Sequence, residues 1–124
     1  MAMATPQETF EAYIAAWNTA NPAECQQLLE QCWAEDGVYC DPQTLAQGRP
    51  ALKKVIAGFQ SNFAGSRIEP RSGLDIHHNR LRFAWVMLSK SGKTLTEGID
   101  FGELDQDNRL KSITGFFGPL PSLP

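Results

Sequence analysis

The chain has 124 residues, of which 42% are hydrophobic and 20% charged, with 11 Lys and Arg against 14 Asp and Glu. That length predicts one domain over residues 1–124, burying roughly two-thirds of the unfolded chain's surface. The composition is too apolar for disorder, and a net charge of −3 with interspersed signs offers no basic track for a nucleic acid. No run approaches the roughly 18 apolar residues of a membrane span.

Met1–Pro6 carries neither a basic nor an apolar leader region, so no secretory signal is expected and the location reads as cytoplasmic. Cys25, Cys32 and Cys40 are an odd set, which reads as free thiols in a reducing compartment. Cys25 and Cys32 are seven apart, the spacing of one helix face, and suit a core. No Cys-x-x-Cys pair exists, and His77-His78 is the whole histidine content. Neither a metal site nor a cofactor is therefore expected.

Three helices are marked by their starts. Thr5-Pro6-Gln7-Glu8 supplies a capping threonine, a first-turn proline and an acid, followed by a stripe of Phe10, Tyr13, Ile14 and Trp17. Asn21-Pro22-Ala23-Glu24 repeats the signal, with Cys25, Leu28, Leu29, Cys32 and Trp33 as its stripe and Asp36-Gly37 as its end. A short strand over Val38–Cys40 follows. Gly48-Arg49-Pro50 opens the third helix, whose stripe is Leu52, Val55, Ile56, Phe59 and Phe63, and Gly65 closes it.

Strand-like runs then take over. Arg67–His77 is one run, weakened by Pro70 and Gly73. Turns at His78-Asn79, Ser91-Gly92 and Asp105–Asn108 separate strands over Leu81–Ser89, Thr94–Leu104 and Leu110–Phe117. The order predicts an α+β cone: three helices packed on a strongly curved mixed-to-antiparallel sheet enclosing a pocket. The later strands carry more apolar residues than one face can hide, so the uncovered face is expected to pair with a second copy as a homodimer.

This order, with Trp33-Ala34-Glu35-Asp36-Gly37-Val38-Tyr39-Cys40-Asp41-Pro42 and then Gly48-Arg49, resembles the nuclear transport factor 2-like superfamily. Within it the chain is most similar to SnoaL-like proteins and ketosteroid isomerases. The resemblance covers nearly the whole chain and implies the fold more strongly than any activity, since this superfamily hosts isomerases, cyclases, hydrolases and binders. It implies a catalytic base at Asp41, from the Asp-Pro pair, and a protonated acid at Asp100, from Thr96-Glu97-Gly98-Ile99-Asp100-Phe101. It also implies an oxyanion tyrosine at Tyr13, from the Tyr13-Ile14 pair. Two supporting tyrosines of the isomerases are replaced by Trp33 and Ile56.

Such a set suits removal of a proton beside a carbonyl and stabilisation of the enolate by two donors in a dry cavity. The expected ligand is a small apolar molecule, held by Trp17, Trp33, Phe59, Phe63, Trp85 and Phe117, within an aromatic set that also includes Phe10, Phe83 and Phe116. Each site residue has a plainer reading. Asp41 before Pro42 can shape a turn alone. Asp100 is solvated if Ile99 and Phe101 face the core, although Thr96, Gly98 and Gly102 leave room beside it. Tyr13 suits the core, and His77-His78 a hairpin turn. Two other functions fit the fold: a non-catalytic binder of a hydrophobic ligand, and a hydrolase resembling limonene epoxide hydrolases, with Arg82 or Arg49 between two carboxylates.

Overall fold

The computed structural model describes residues 3–124; Met1 and Ala2, part of the start read for a leader, lie outside them. Its elements run α1 (Pro6–Trp17), α2 (Pro22–Cys32), β1 (Trp33–Asp41), β2 (Thr44–Gln47), α3 (Arg49–Asn62), β3 (Arg67–Pro70), β4 (Asp75–His77), β5 (Arg80–Leu88), β6 (Thr94–Leu104) and β7 (Leu110–Phe117). The strands form one sheet in the order β2-β1-β7-β6-β5-β3, with β4 also on β5. All pairs are antiparallel except β1 with β7. The sheet is thus mixed, because β1 precedes α3 and returns beside the last strand. Among the described residues no helix is long and apolar enough to cross a membrane.

The helix starts behave as their sequences dictate. Thr5 accepts from the Glu8 amide at 3.1 Å while the Glu8 carboxyl accepts from the Thr5 amide at 2.9 Å, a complete capping box. Asn21 Oδ1 accepts from the amides of Ala23 and Glu24. The second helix is shorter than its stripe suggested. Trp33 is already extended (φ −117°, ψ 127°) and opens β1 opposite Leu110, so the helix stops at Cys32. Pro42-Gln43 then reverses the chain, and Asp41 pairs with Thr44. A hairpin therefore stands where one short strand over Val38–Cys40 was expected.

The run over Arg67–His77 is split for a local reason. Pro70 ends β3, and the Ser72 hydroxyl accepts from the Ala84 amide at 2.9 Å in place of a strand carbonyl. His78 and Asn79 both take positive φ, 49° and 61°, which makes the tight turn into β5.

One face of the sheet packs on the helices. Phe10 and Tyr13 of α1 meet Phe83 of β5 edge-on, with ring centroids at 4.7 Å and 6.5 Å. Leu29 and Cys32 of α2 and Leu52 and Ile56 of α3 complete the buried layer. The three cysteines are free, and burial pushes the Cys32 thiol up to about 12, so it packs as a small apolar group. Helix α1 is pinned at both ends. Thr9 Oγ donates to the Asn108 carbonyl at 2.6 Å, and Asn18 exchanges two hydrogen bonds with the Ile68 backbone at 2.7 and 2.8 Å.

Gly98 shows how tightly the inner face is built. A Cβ there would lie 2.1 Å from the Phe116 carbonyl oxygen and 2.7 Å from the Trp85 ring. The clash involves backbone, which cannot swing aside. Gly98→Ala should therefore cost about 3 kcal/mol in urea unfolding, at the upper end of ordinary overpacking. Gly73, with open space around its Cα, is the control: Gly73→Ala should stay within about 0.5 kcal/mol.

Candidate active site

A cavity of about 540 Å³ lies between the inner face of the sheet and helices α1 and α3. Its depth is aromatic, with Tyr13, Trp17, Tyr39, Phe83 and Trp85. Its mouth carries exposed Gln43, Lys54, Asn62, Phe63 and Leu95. Among the described residues, Lys54 is the only cationic side chain on the wall. Asp41, Asp100 and Tyr13 all reach this one space.

The sheet register brings the two acids together. Asp100 of β6 lies opposite Gly115 of β7. The parallel pair Cys40–Thr114 sets Asp41 of β1 beside Gly115 on its other side. Asp41, Gly115 and Asp100 thus form a row across three neighbouring strands. Strand alternation sends Ile99 and Phe101 outward, both 43% exposed, and Asp100 inward, 7% exposed. The outer face is therefore the one left partly apolar, and the acid sits on the core side.

Asp100 has one protein donor: Trp85 Nε1 donates to Oδ1 at 2.9 Å. The Trp85 ring fits there because Gly98 is bare beneath it. Burial raises the Asp100 carboxyl to about 7, the Trp85 hydrogen bond pulls it down, and the nearby Asp41 charge pushes it up. The acid is thus poised to hold its proton near neutrality.

Asp41 is half-buried and firmly oriented. The Tyr39 hydroxyl donates to Oδ2 at 2.6 Å, and the Gln43 amide donates to Oδ1 at 2.8 Å. The second contact is the turn geometry that Asp-Pro suggested, so shaping the turn and facing the cavity are compatible roles. Burial, and then the Asp41 carboxylate, hold the Tyr39 phenol far above its usual value, so it remains a donor.

Tyr13 lies deep on α1 between the pinned ends of that helix. Its phenol is raised well above the ordinary value by burial, then by Asp100 and Tyr39, with the Trp17 indole pulling the other way. It remains an O–H at any working pH. Tyr13 therefore belongs to the core and to the cavity wall together.

Of the expected ligand contacts, Trp17, Phe59, Phe63, Trp85 and Phe117 line the cavity, and Trp33 does not. Trp33 is fully buried and stacks on Tyr13, ring centroids 5.8 Å apart at 17°. Its indole N–H is buried without a partner, packed close to Gly37. Phe116 also departs from the aromatic set, since it points outward at 58% exposure. Among the described residues no arginine lines the cavity. Arg49 donates to the Trp33 carbonyl at 2.7 Å, and Arg82 pairs with Asp75 at an exposed edge. The Asp-Arg-Asp arrangement of a limonene epoxide hydrolase is therefore absent from this site.

Two residues of the site were not anticipated. Tyr39 stands two positions before Asp41 in one strand, so period-two alternation alone places both on one face. Gly115 lies opposite Asp100 only through a register shift between Glu103 and Leu104, which counting across the Asp105–Asn108 turn does not reveal.

No family model matches the chain, and no curated protein matches it. Solved structures do. A SnoaL-like family protein from Agrobacterium tumefaciens, a candidate isomerase, has TM-score 0.84 and 29% identity, over 90% of this chain and 95% of that one. A ketosteroid isomerase-like fold protein from Catenulispora acidiphila, solved with trimethylamine, has TM-score 0.73 and 16% identity, over 92% and 88%. A nuclear transport factor 2-like protein of unknown function from Cytophaga hutchinsonii has TM-score 0.71 and 14% identity, over 95% and 94%. In fold, the chain is similar to SnoaL-like, ketosteroid isomerase-like and nuclear transport factor 2-like proteins.

Proposed function

We propose that this protein is a small-molecule enzyme that works by acid–base chemistry on an apolar carbonyl compound, as an isomerase or a cyclase. The observation that carries the reading is the convergence of Asp41, Asp100 and Tyr13 on one aromatic cavity. Asp41 takes the proton beside the substrate carbonyl. Tyr39 and the Gln43 amide hold its carboxylate in place. The enolate oxygen that develops receives hydrogen bonds from Asp100, in its protonated form, and from the Tyr13 hydroxyl. Both donors are fixed before substrate arrives, on a largely aromatic wall, where such contacts count for more than in bulk water. The proton then returns from Asp41 to another carbon of the same substrate, or, where the enolate carbon adds to a second carbonyl and closes a ring, to the alkoxide oxygen that this addition creates. The Agrobacterium tumefaciens neighbour, named as a candidate isomerase, supports the same class of chemistry.

Turnover is testable on a panel of cyclic β,γ-unsaturated ketones, since conjugation of the product changes its ultraviolet absorbance. Asp41→Asn should abolish the reaction and leave the fold intact. Asp100→Leu should cost about 100- to 1,000-fold, the usual loss for one oxyanion donor, and Asp100→Asn less, because an amide still donates. Turnover that survives Asp41→Asn across the panel rejects the mechanism. Binding without turnover, indifferent to both acids, would make the cavity a binding site only.

The proton on Asp100 gives a second test. Its pKa in the folded chain is about 7 against 3.8 for the free group. The native state therefore holds this proton more tightly than the unfolded state does. The associated stability is fully present below about pH 4 and is lost as pH rises through 7, on the order of 4 kcal/mol in all. Asp100→Asn removes this loss. Urea unfolding between pH 5 and 9 should show the variant gaining on the wild type as pH rises. Activity that depends on protonated Asp100 should decline over the same upper range. A constant difference in stability across that range would show that Asp100 titrates normally.

A two-fold homodimer through the outer sheet face belongs to this reading. Ile99, Phe101 and Phe116 are 43, 43 and 58% exposed there, and the last two rings meet edge-on at 6.0 Å. Such a patch favours a covering surface. Light scattering at micromolar concentration should give twice the chain mass, and Phe101→Glu should halve it. A wild-type monomer at that concentration rules the dimer out.

A further inference from the structure

We propose that α3 carries a specificity groove at the cavity mouth, in which Lys54, Gly58 and Asn62 receive the far end of a substrate bearing one carboxylate. The inference rests on the acid–base reading above and names the substrate class: an apolar carbonyl compound with a monoanionic tail.

Among the described residues, Gly58 is the only glycine inside a helix. Glycine in a helix interior is destabilising relative to alanine. Packing does not demand it there. Its chain neighbours and the helix backbone apart, no atom lies within 4 Å of where its Cβ would stand. Gly98 is the contrast, since its Cβ would strike Phe116 and Trp85. Gly58 nevertheless lines the cavity. Its missing side chain leaves a gap in the wall that no other side chain of the protein fills.

The gap has polar ends and an apolar flank. Residues four apart share a helix face, so Lys54, Gly58 and Asn62 form one row, and all three line the cavity. At 1.5 Å per residue, Lys54 and Asn62 stand about 12 Å apart along the axis, with the gap midway. Val55 and Phe59, also on the wall, give the row its apolar side.

The charge of the groove selects its occupant. The ion pairs of the described residues engage Arg67, Arg82, Arg109 and Lys111, and leave Lys54 free. The two acids of the cavity are met by other donors, Asp41 by Tyr39 and the Gln43 amide, and Asp100 by Trp85. A free ammonium at the rim of an apolar cavity, on a chain of net charge −3, is complementary to an anion. One cation matches one negative charge, which favours a carboxylate over a phosphate dianion. The Asn62 amide offers a second donor beside it. Asp41, on the sheet, repels a second anion, so the carbonyl enters first and the charged tail stays on the α3 side.

The test uses 6-hydroxy-2-naphthoate, a planar phenol with a carboxylate at its far end, its methyl ester, and 2-naphthol, which lacks the tail. Each is read by naphthol fluorescence. At pH 7 and low salt the wild type should bind the acid about fivefold more tightly than the ester, and added salt should narrow that ratio. Lys54→Met keeps the apolar stem, so it should bring the ratio to about one and leave the ester unchanged. Gly58→Leu fills the gap with a good helix former. It should unfold at a urea concentration no lower than the wild type, yet bind the acid and the ester about 10- to 100-fold more weakly and 2-naphthol nearly as before. A wild type with no preference for the acid, a preference that survives Lys54→Met, or a Gly58→Leu protein that binds all three ligands like the wild type overturns the proposal. So does a wild type that binds none of them. If Gly58→Leu does not fold, Gly58→Ala replaces it, and unchanged acid binding there overturns the groove. Asp100→Leu separates this inference from the acid–base reading, because it should weaken all three ligands. If it does so while the acid preference is absent, the groove falls and that reading stands. If it leaves 2-naphthol untouched while the preference still depends on Lys54, that reading falls and the anion contact stands.

Discussion

The rest of the site depends on one costly placement: a carboxyl buried on the core side of the sheet without a cation beside it. The ion pairs of the described residues, such as Arg82 with Asp75 and Lys111 with Glu103, all lie at exposed positions. Asp100 has only the Trp85 indole. In such surroundings the neutral acid is favoured over the anion, because desolvation outweighs a single N–H donor. A protonated carboxylic acid is a directional hydrogen-bond donor, which an ionised one cannot be. The burial that burdens the fold is thus the source of the acid's proposed chemical use.

The surrounding structure reads as the support for that placement. Gly98 is bare so that Trp85 can lie flat and reach Asp100, and Gly115 is bare so that the carboxyl has room. The same three strands carry Asp41 into the row, and Tyr39 two residues earlier fixes its orientation. Helix α1 brings Tyr13 from the opposite side. It is tied down near Thr9 and at Asn18, so the tyrosine has little freedom to drift. Trp33 stacks behind the Tyr13 ring and leaves its own N–H unpartnered. An aromatic wedge there keeps Tyr13 pressed toward the cavity, which accounts for a tryptophan lying behind the cavity wall rather than in it.

Much of the fold was legible because local chemistry and tertiary structure agree. The threonine and asparagine caps start helices where their sequences say, and β6 and β7 begin and end at turn residues. The misreadings have local causes. Trp33 continues the apolar spacing of α2, yet its backbone is extended because strand pairing with Leu110 and the stack on Tyr13 outweigh helical period. β2 is only four residues long and half exposed, so it carries no alternation strong enough to read. Asp41 and Asp100 were legible as candidates, and their sharing one cavity was expected from the family resemblance but not from the strand pattern itself. That depends on which face of β6 is covered, and Ile99 and Phe101 suggest the wrong one until the exposed outer face is seen.

The parallel pairing of β1 with β7 is what converts two isolated acids into a pair. In an all-antiparallel meander, strands distant in sequence would sit at opposite sheet edges, and Asp41 would lie far from Asp100. Here α3 follows the β1–β2 hairpin, and the chain then crosses to the far edge and returns strand by strand to β7. The last strand closes against the first, inside the sheet. The acid from the earliest strand and the acid from the penultimate one are then separated by a single glycine position. Both side chains line one cavity, and α1 and α3 close the space above them. The pocket is therefore set by chain topology before any one side chain is chosen. Residue identity at three positions in the row, two acids and a glycine, decides what that pocket can do.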